Sequence, residues 1–137
     1  CVVVDGQPGP EYNGIRDNAF IFSPDSKRVG YVAFKYRFWR GGKWREVVDG
    51  QEGPEYDEGT YGLIFSPDSK RVAYVAGKKR SWLRRGVPSR WCVVLDGQPG
   101  PLYDRLYLPT FQADGTLVYL AQKENALYRV KHPPLLR

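Results

Sequence analysis

Phe22-Ser23-Pro24-Asp25-Ser26-Lys27-Arg28-Val29 recurs letter for letter as Phe65-Ser66-Pro67-Asp68-Ser69-Lys70-Arg71-Val72. A degraded third copy is Phe111-Gln112-Ala113-Asp114-Gly115, followed by Leu117-Val118-Tyr119-Leu120-Ala121. A second block alternates with the first. It reads Asp5-Gly6-Gln7-Pro8-Gly9-Pro10-Glu11-Tyr12, then Asp49-Gly50-Gln51-Glu52-Gly53-Pro54-Glu55-Tyr56, then Asp96-Gly97-Gln98-Pro99-Gly100-Pro101-Leu102-Tyr103. Asp5 to Asp49 is 44 residues and Asp49 to Asp96 is 47. A fixed period in the forties means a stacked array of one supersecondary unit.

The unit reads as short strands joined by turn chemistry, with no helical period. In the middle repeat, Tyr61 to Phe65 is a strand that ends at the tight turn Ser66-Pro67-Asp68-Ser69. Pro presets φ there, and the Asp side chain can bond its own downstream backbone. Val72-Ala73-Tyr74-Val75-Ala76 is β-branched, aromatic or small and fits a buried strand. A basic, Gly-containing loop is expected from Gly77 to Arg90. Trp91-Cys92-Val93-Val94-Leu95 makes a third strand, closed by Asp96-Gly97, and Tyr103 to Leu108 supplies a short outer strand. Ala33, Ala76 and Ala121 are expected to end the second strand of each repeat. The recurring Tyr12, Tyr56 and Tyr103, with Phe22, Phe65 and Phe111, are expected to pack between units. Four short strands in forty-odd residues is the pattern of a propeller blade.

The Phe-Ser-Pro-Asp-Ser-Lys-Arg-Val-Ala-Tyr-Val-Ala block, from Phe65 to Ala76, resembles the WD-repeat-like blade motif of TolB-type β-propellers. Those repeats carry a similar Phe/Trp-Ser-Pro-Asp-Gly-Lys turn before a buried strand. The likeness spans about Cys1 to Lys131, and the third copy departs from it where Gln112-Ala113 replace Ser-Pro. The resemblance implies an all-β chain of about three four-stranded antiparallel blades. It also implies a bacterial, exported protein (periplasmic, cell-surface or extracellular) that serves as a binding platform, a peptidase gate or an envelope component. The family has no universal catalytic residues, so none is carried over.

The array is a single unit over residues 1–131, with repeats at roughly 1–44, 45–91 and 92–131, and a Pro-rich tail over 132–137. Cys1-Val2-Val3-Val4 aligns with Arg45-Glu46-Val47-Val48 and with Cys92-Val93-Val94-Leu95. Ala126-Leu127-Tyr128-Arg129-Val130 reads as that same third strand. The expected order is therefore two strands, two whole blades and three strands: an incomplete or open propeller array, since closed wheels take four to eight blades. Val2, Val3, Val4, Leu127, Tyr128 and Val130 are the candidate edge strands. Three resolutions are open: a piece of a longer propeller, copies that complete one another as a ring or filament, or a short array capped by its tail. Met is absent, which fits a processed product or a piece of something longer.

Aromatic residues make up 15% of the chain, ample for a core, and no apolar run is long enough for a transmembrane helix. The net charge of +6 suits an anionic partner or plain solubility. Two cysteines, at equivalent repeat positions, build neither a disulfide framework nor a four-ligand zinc site. Sheet spacing separates them beyond disulfide reach within one chain.

Two loops at the same place in the repeat stand out. The first, Phe34 to Arg45, alternates basic and aromatic residues and supplies Tyr36, Phe38, Trp39, Arg40 and Trp44 as contact candidates. The second, from Lys78 to Arg90, supplies Lys78, Lys79, Arg80, Trp82, Arg84 and Arg85. Period-two alternation fits a long β-hairpin with a wet basic face. The same residues suit a protein contact, for Arg and Trp are enriched at hot spots, or a grip on polyanions. The repeated acids read as turn residues, and Glu11 with Asn13, or Glu55 with Asp57 and Glu58, lacks the spacing of a calcium loop. His132 is the only histidine, so no His-based metal site or triad is expected. No cofactor is implied. The sequence therefore reads as a non-catalytic, self-assembling interaction scaffold. The alternatives are the recognition or gating propeller of a larger hydrolase and a polyanion-binding module.

Overall fold

The computed structural model describes residues 1–16, 20–39, 41–78 and 89–134. These residues are all-β, without a helix, in four antiparallel sheets of two to five strands that follow one another along the chain. The first sheet is β1 (Val3–Val4) and β2 (Gln7–Pro8). The second contains β3 (Gly14–Ile15), β4 (Ile21–Phe22), β5 (Val29–Arg37), β6 (Gly41–Val48) and β7 (Gln51–Glu52). In it, β3 and β4 both pair with β5, and β6 and β7 follow outward. The third sheet orders β8 (Gly59–Phe65), β9 (Val72–Lys78), β10 (Arg90–Leu95) and β11 (Gln98–Pro99) side by side. In the fourth, β12 (Arg105–Leu106) and β13 (Thr110–Phe111) lie on one side of β14 (Leu117–Lys123), and β15 (Ala126–His132) lies on the other.

The turns follow directly from the repeated letters. Asp5, Asp49 and Asp96 have φ of 49°, 53° and 51°, and the glycines that follow have φ of 78°, 79° and 80°. Two successive left-handed residues make the turn whose twist matches paired strands, and Gly tolerates that conformation without a Cβ clash. Each Asp-Gly therefore closes a two-residue hairpin, β1–β2, β6–β7 or β10–β11. In the Ser-Pro-Asp-Ser turns, Lys27 N donates to Asp25 Oδ1 at 3.0 Å and Lys70 N to Asp68 Oδ1 at 3.0 Å. Arg28 N and Arg71 N donate to Ser23 Oγ and Ser66 Oγ, each at 2.9 Å.

Between the sheets lie three apolar layers. Tyr31, Ala33 and Val47 of the second sheet meet Val2 and Tyr12. Tyr56, Leu63, Val72, Tyr74 and Cys92 meet Ile21 and Val48. Ala73, Val75 and Val93 of the third sheet meet Leu117, Tyr119 and Ala121 of the fourth. Alternation along each strand sends successive side chains to opposite layers.

Several boundaries differ from the sequence reading. The strands of Ala33, Ala76 and Ala121 run on to Arg37, Lys78 and Lys123, because an alanine packs a close sheet contact without breaking a ladder. The third sheet's outer strand is Gln98–Pro99, with Tyr103 bridging back to Trp91. Arg105–Leu106 belongs to the next sheet, pairing with Ala121 and Gln122. The last strand runs through His132, whose ring stacks on Tyr119 with centroids 5.8 Å apart. Phe65 and Phe111 are partly buried between sheets, but Phe22 is 66% exposed.

Candidate interaction surface

The β5–β6 hairpin is the long extension that alternation predicts. Its register runs from Gly30↔Val48 out to Arg37↔Gly41, well past the last buried pair. Its shaft is stiffened by rings. Phe34 packs on its cross-strand partner Trp44 at 4.8 Å between centroids, and the Arg16 guanidinium lies 4.4 Å over the Trp44 ring. Phe34 also lies across Gly42, where a Cβ would collide with the ring. Gly41, with φ of 70°, turns the chain at the tip. Tyr36, Phe38 and Trp39 are left 56%, 88% and 80% exposed.

Of the sequence candidates, Tyr36, Phe38 and Trp39 thus gather at the tip, while Trp44 is a shaft residue. Lys78 ends β9 and sits 5.9 Å from the Tyr56 ring. Arg40, Lys79, Arg80, Trp82, Arg84 and Arg85 lie outside the described residues. The lysines of the shaft are engaged: Lys43 pairs with Asp57, and Lys35 lies close enough to Glu52 to help lower its carboxyl. Among the described residues the tip presents Tyr36, Phe38 and Trp39 beside the exposed Arg37. Of the candidate edge strands, Val3 and Val4 are exposed, while Val2 packs on the Tyr31 layer. Leu127 and Tyr128 are exposed, and Val130 packs against the third sheet.

Of the acids weighed as an oxygen site, Glu55 and Asp57 are held in ion pairs, with Arg45 and Lys43. Arg45, itself buried, pairs with both Glu52 and Glu55. Tyr12 donates to Glu52 at 2.8 Å, which lowers the Glu52 carboxyl, while burial together with that bond raises the Tyr12 hydroxyl. Among the described residues no group of three or more His, Cys, Asp or Glu could hold a metal ion. Burial raises the Cys92 thiol, which suits an inert core residue.

Compared with protein-family models, curated proteins and solved structures, the chain shows no match.

No motif marks two further features. Glu46 is 1% exposed between the second and third sheets. Neither of its carboxylate oxygens finds a hydrogen-bond partner, and its pKa is pushed up to about 7, chiefly by burial. Thr60 and the Arg16 charge lower it only in part; Thr60 Oγ1 has no aligned bond either, and Arg16 donates to the Thr60 carbonyl at 2.7 Å. The repeat mates of Glu46 are Val2 and Val93, so only its position in the repeat reveals it as a buried charge. The second feature is a pair of equivalent clefts between sheets. One, of ≈ 370 Å³, lies between the second and third sheets beside Tyr74; the other, of ≈ 710 Å³, lies between the first and second beside Tyr31.

Proposed function

We propose that this chain is a non-catalytic, propeller-type interaction scaffold that associates with copies of itself through the Tyr36–Trp39 tip. The observation that carries the reading is the tip itself. Two aromatic side chains stand almost fully exposed on a ring-stiffened hairpin. Large rings on a rigid support lose little conformational entropy on docking, and Trp and Tyr dominate binding hot spots. The four-sheet stack and its blade-like hairpins support the propeller reading, and the resemblance in the Ser-Pro-Asp turns points the same way. Sedimentation equilibrium tests the proposal. The chain should show concentration-dependent association, and Phe38→Ser with Trp39→Ser should weaken it at least about tenfold, the loss expected of hot-spot rings. Association unchanged in the double variant removes the tip from the account. A monomer throughout the micromolar range removes self-association.

A further inference from the structure

The two inter-sheet clefts hold equivalent places in the repeat, but only one has an unpaired carboxyl group in its wall. The cleft beside Tyr31 is lined by Val2 and Pro8, and the cleft beside Tyr74 carries Glu46 and Glu52 at the same two places. A third position departs in step. Ile15, Thr60 and Leu106 pair with Ala33, Ala76 and Ala121, so the polar member of that set also stands at the junction of the second and third sheets.

Every other acid of the Tyr74 cleft has an arginine. Arg28 holds Asp49, Arg71 holds Asp96 and Arg45 holds Glu52. Glu46 is 1% exposed, and both of its carboxylate oxygens lack a hydrogen-bond partner among the described residues. Arg16 reaches it only as a field, for its guanidinium donates to the Thr60 carbonyl at 2.7 Å and lies 4.4 Å over Trp44. Alternation puts Glu46 on the same face of β6 as Val48. Its side chain therefore points between the sheets, where Val48, Val72 and Tyr74 form the wall of the cleft. A buried carboxylate without a partner is costly, and a cation delivered to it makes charge-assisted bonds.

We infer that the cleft between the second and third sheets binds a small linear primary amine, its ammonium paired with Glu46 and its aliphatic stem laid along Val48, Val72 and Tyr74. The volume, ≈ 370 Å³, lies at the small end of ligand pockets. An ammonium donates three hydrogen bonds, and the two Glu46 oxygens with the Tyr74 hydroxyl offer three acceptors. The occupant is a free amine and not a lysine of a partner chain. The acids at the more exposed mouth, Asp49 and Asp96, are already bonded to arginine and to the amides of Val29 and Val72, so the unpaired group lies inside. The site shares no residue with the Tyr36–Trp39 tip.

Binding is coupled to a proton. Burial holds the Glu46 carboxyl up at about 7, and an ammonium against it favours the charged form. The groups that face Glu46 from the packed elements are Arg16 beyond β3, Tyr74 of β9 and, farther along the layer, Tyr56 and Cys92 of β10. Burial raises both tyrosine hydroxyls and the Cys92 thiol, so these three stay neutral where Glu46 titrates. Glu52 is lowered, chiefly by the bond from Tyr12, and stays charged there. The entering amine therefore displaces a proton from Glu46, and its affinity rises with pH.

Isothermal titration calorimetry of the full chain with n-butylammonium chloride is the test. The expected result is saturable 1:1 binding with a Kd of about 1 mM or below. Affinity should be at least about tenfold higher at about pH 7.5 than at about pH 5.5, and at least about tenfold lower in Glu46→Gln. The neutral 1-butanol should not bind measurably at the same concentration. Absence of saturation, or an affinity indifferent to pH or to Glu46→Gln, overturns the site. Should the variant fail to fold, titration of the unmodified chain near pH 6 in buffers of different ionisation enthalpy decides. Release of most of a proton per amine supports the proposal, and no release overturns it. Nα-acetyl-lysine amide binding as tightly as n-butylammonium overturns the free amine as the occupant.

Discussion

Phe22–Val29 and Phe65–Val72 are the same eight letters in two different environments. Their internal bonds match almost atom for atom: Ser Oγ to Asp at 2.6 and 2.5 Å, and Lys N to Asp at 3.0 Å in both. Their outward relations diverge. Phe65 is partly buried under Arg28, whereas Phe22 is exposed. Ser69 is buried and its Oγ accepts from Asp25 N at 3.1 Å, whereas Ser26 is exposed. Local sequence fixes the turn, while the neighbouring sheet decides what the turn is worth.

The largest effect should come from the two phenylalanines. Phe65→Ala removes a ring packed between sheets and should cost about 2–3 kcal/mol. Phe22→Ala should cost under about 0.5 kcal/mol, since an exposed ring loses little. Urea denaturation of both variants measures the gap, and equal costs would break the comparison.

Glu46 against its mate Val93 offers the next contrast. Its folded pKa of about 7 lies above the ordinary carboxyl value of 4.5. Between those values the folded chain holds a proton that the unfolded chain has released. Its contribution to stability is therefore greatest below pH 4.5 and falls as pH rises toward and through 7. Glu46→Gln should remove that slope and leave the variant more stable at pH 8, by about 2 kcal/mol. Thermal melts across pH 4.5–8 check it; a wild-type curve as flat as the variant's would contradict it.

The smallest effect concerns the turn serines. Ser26 and Ser69 have φ of 63° and 64°, the left-handed region in which glycine is at ease. Ser26→Gly should stabilise by about 0.5–1 kcal/mol. Ser69→Gly should gain less, because it forfeits the Asp25 N bond. Matching gains would show that the inter-repeat bond contributes nothing.

Much of the fold was legible because turns are local. The Asp-Gly dipeptides and the Ser-Pro-Asp-Ser blocks carry their own conformations, so the hairpins and the repeat could be read directly. Extents were harder. Ala33, Ala76 and Ala121 look like strand ends in the letters, yet the ladder continues because pairing, which the letters do not display, holds Lys35 and Lys78 in place. The candidate surface was half legible. Alternation disclosed the hairpin, but only packing separated the exposed Phe38 and Trp39 from the stacked Trp44. The buried Glu46 was legible only against its mates Val2 and Val93, since a lone Glu carries no mark of burial.

Amide exchange at single-residue resolution, comparing β1 with β6 and β10 in the unmodified chain, tests the central contrast most directly. The amides of Val3 and Val4 should exchange far faster than those of Val47 and Val94, whose strands are paired on both sides. Equal protection at all four would contradict an open first sheet and with it the claim that neighbours, beyond local letters, set the worth of each repeat.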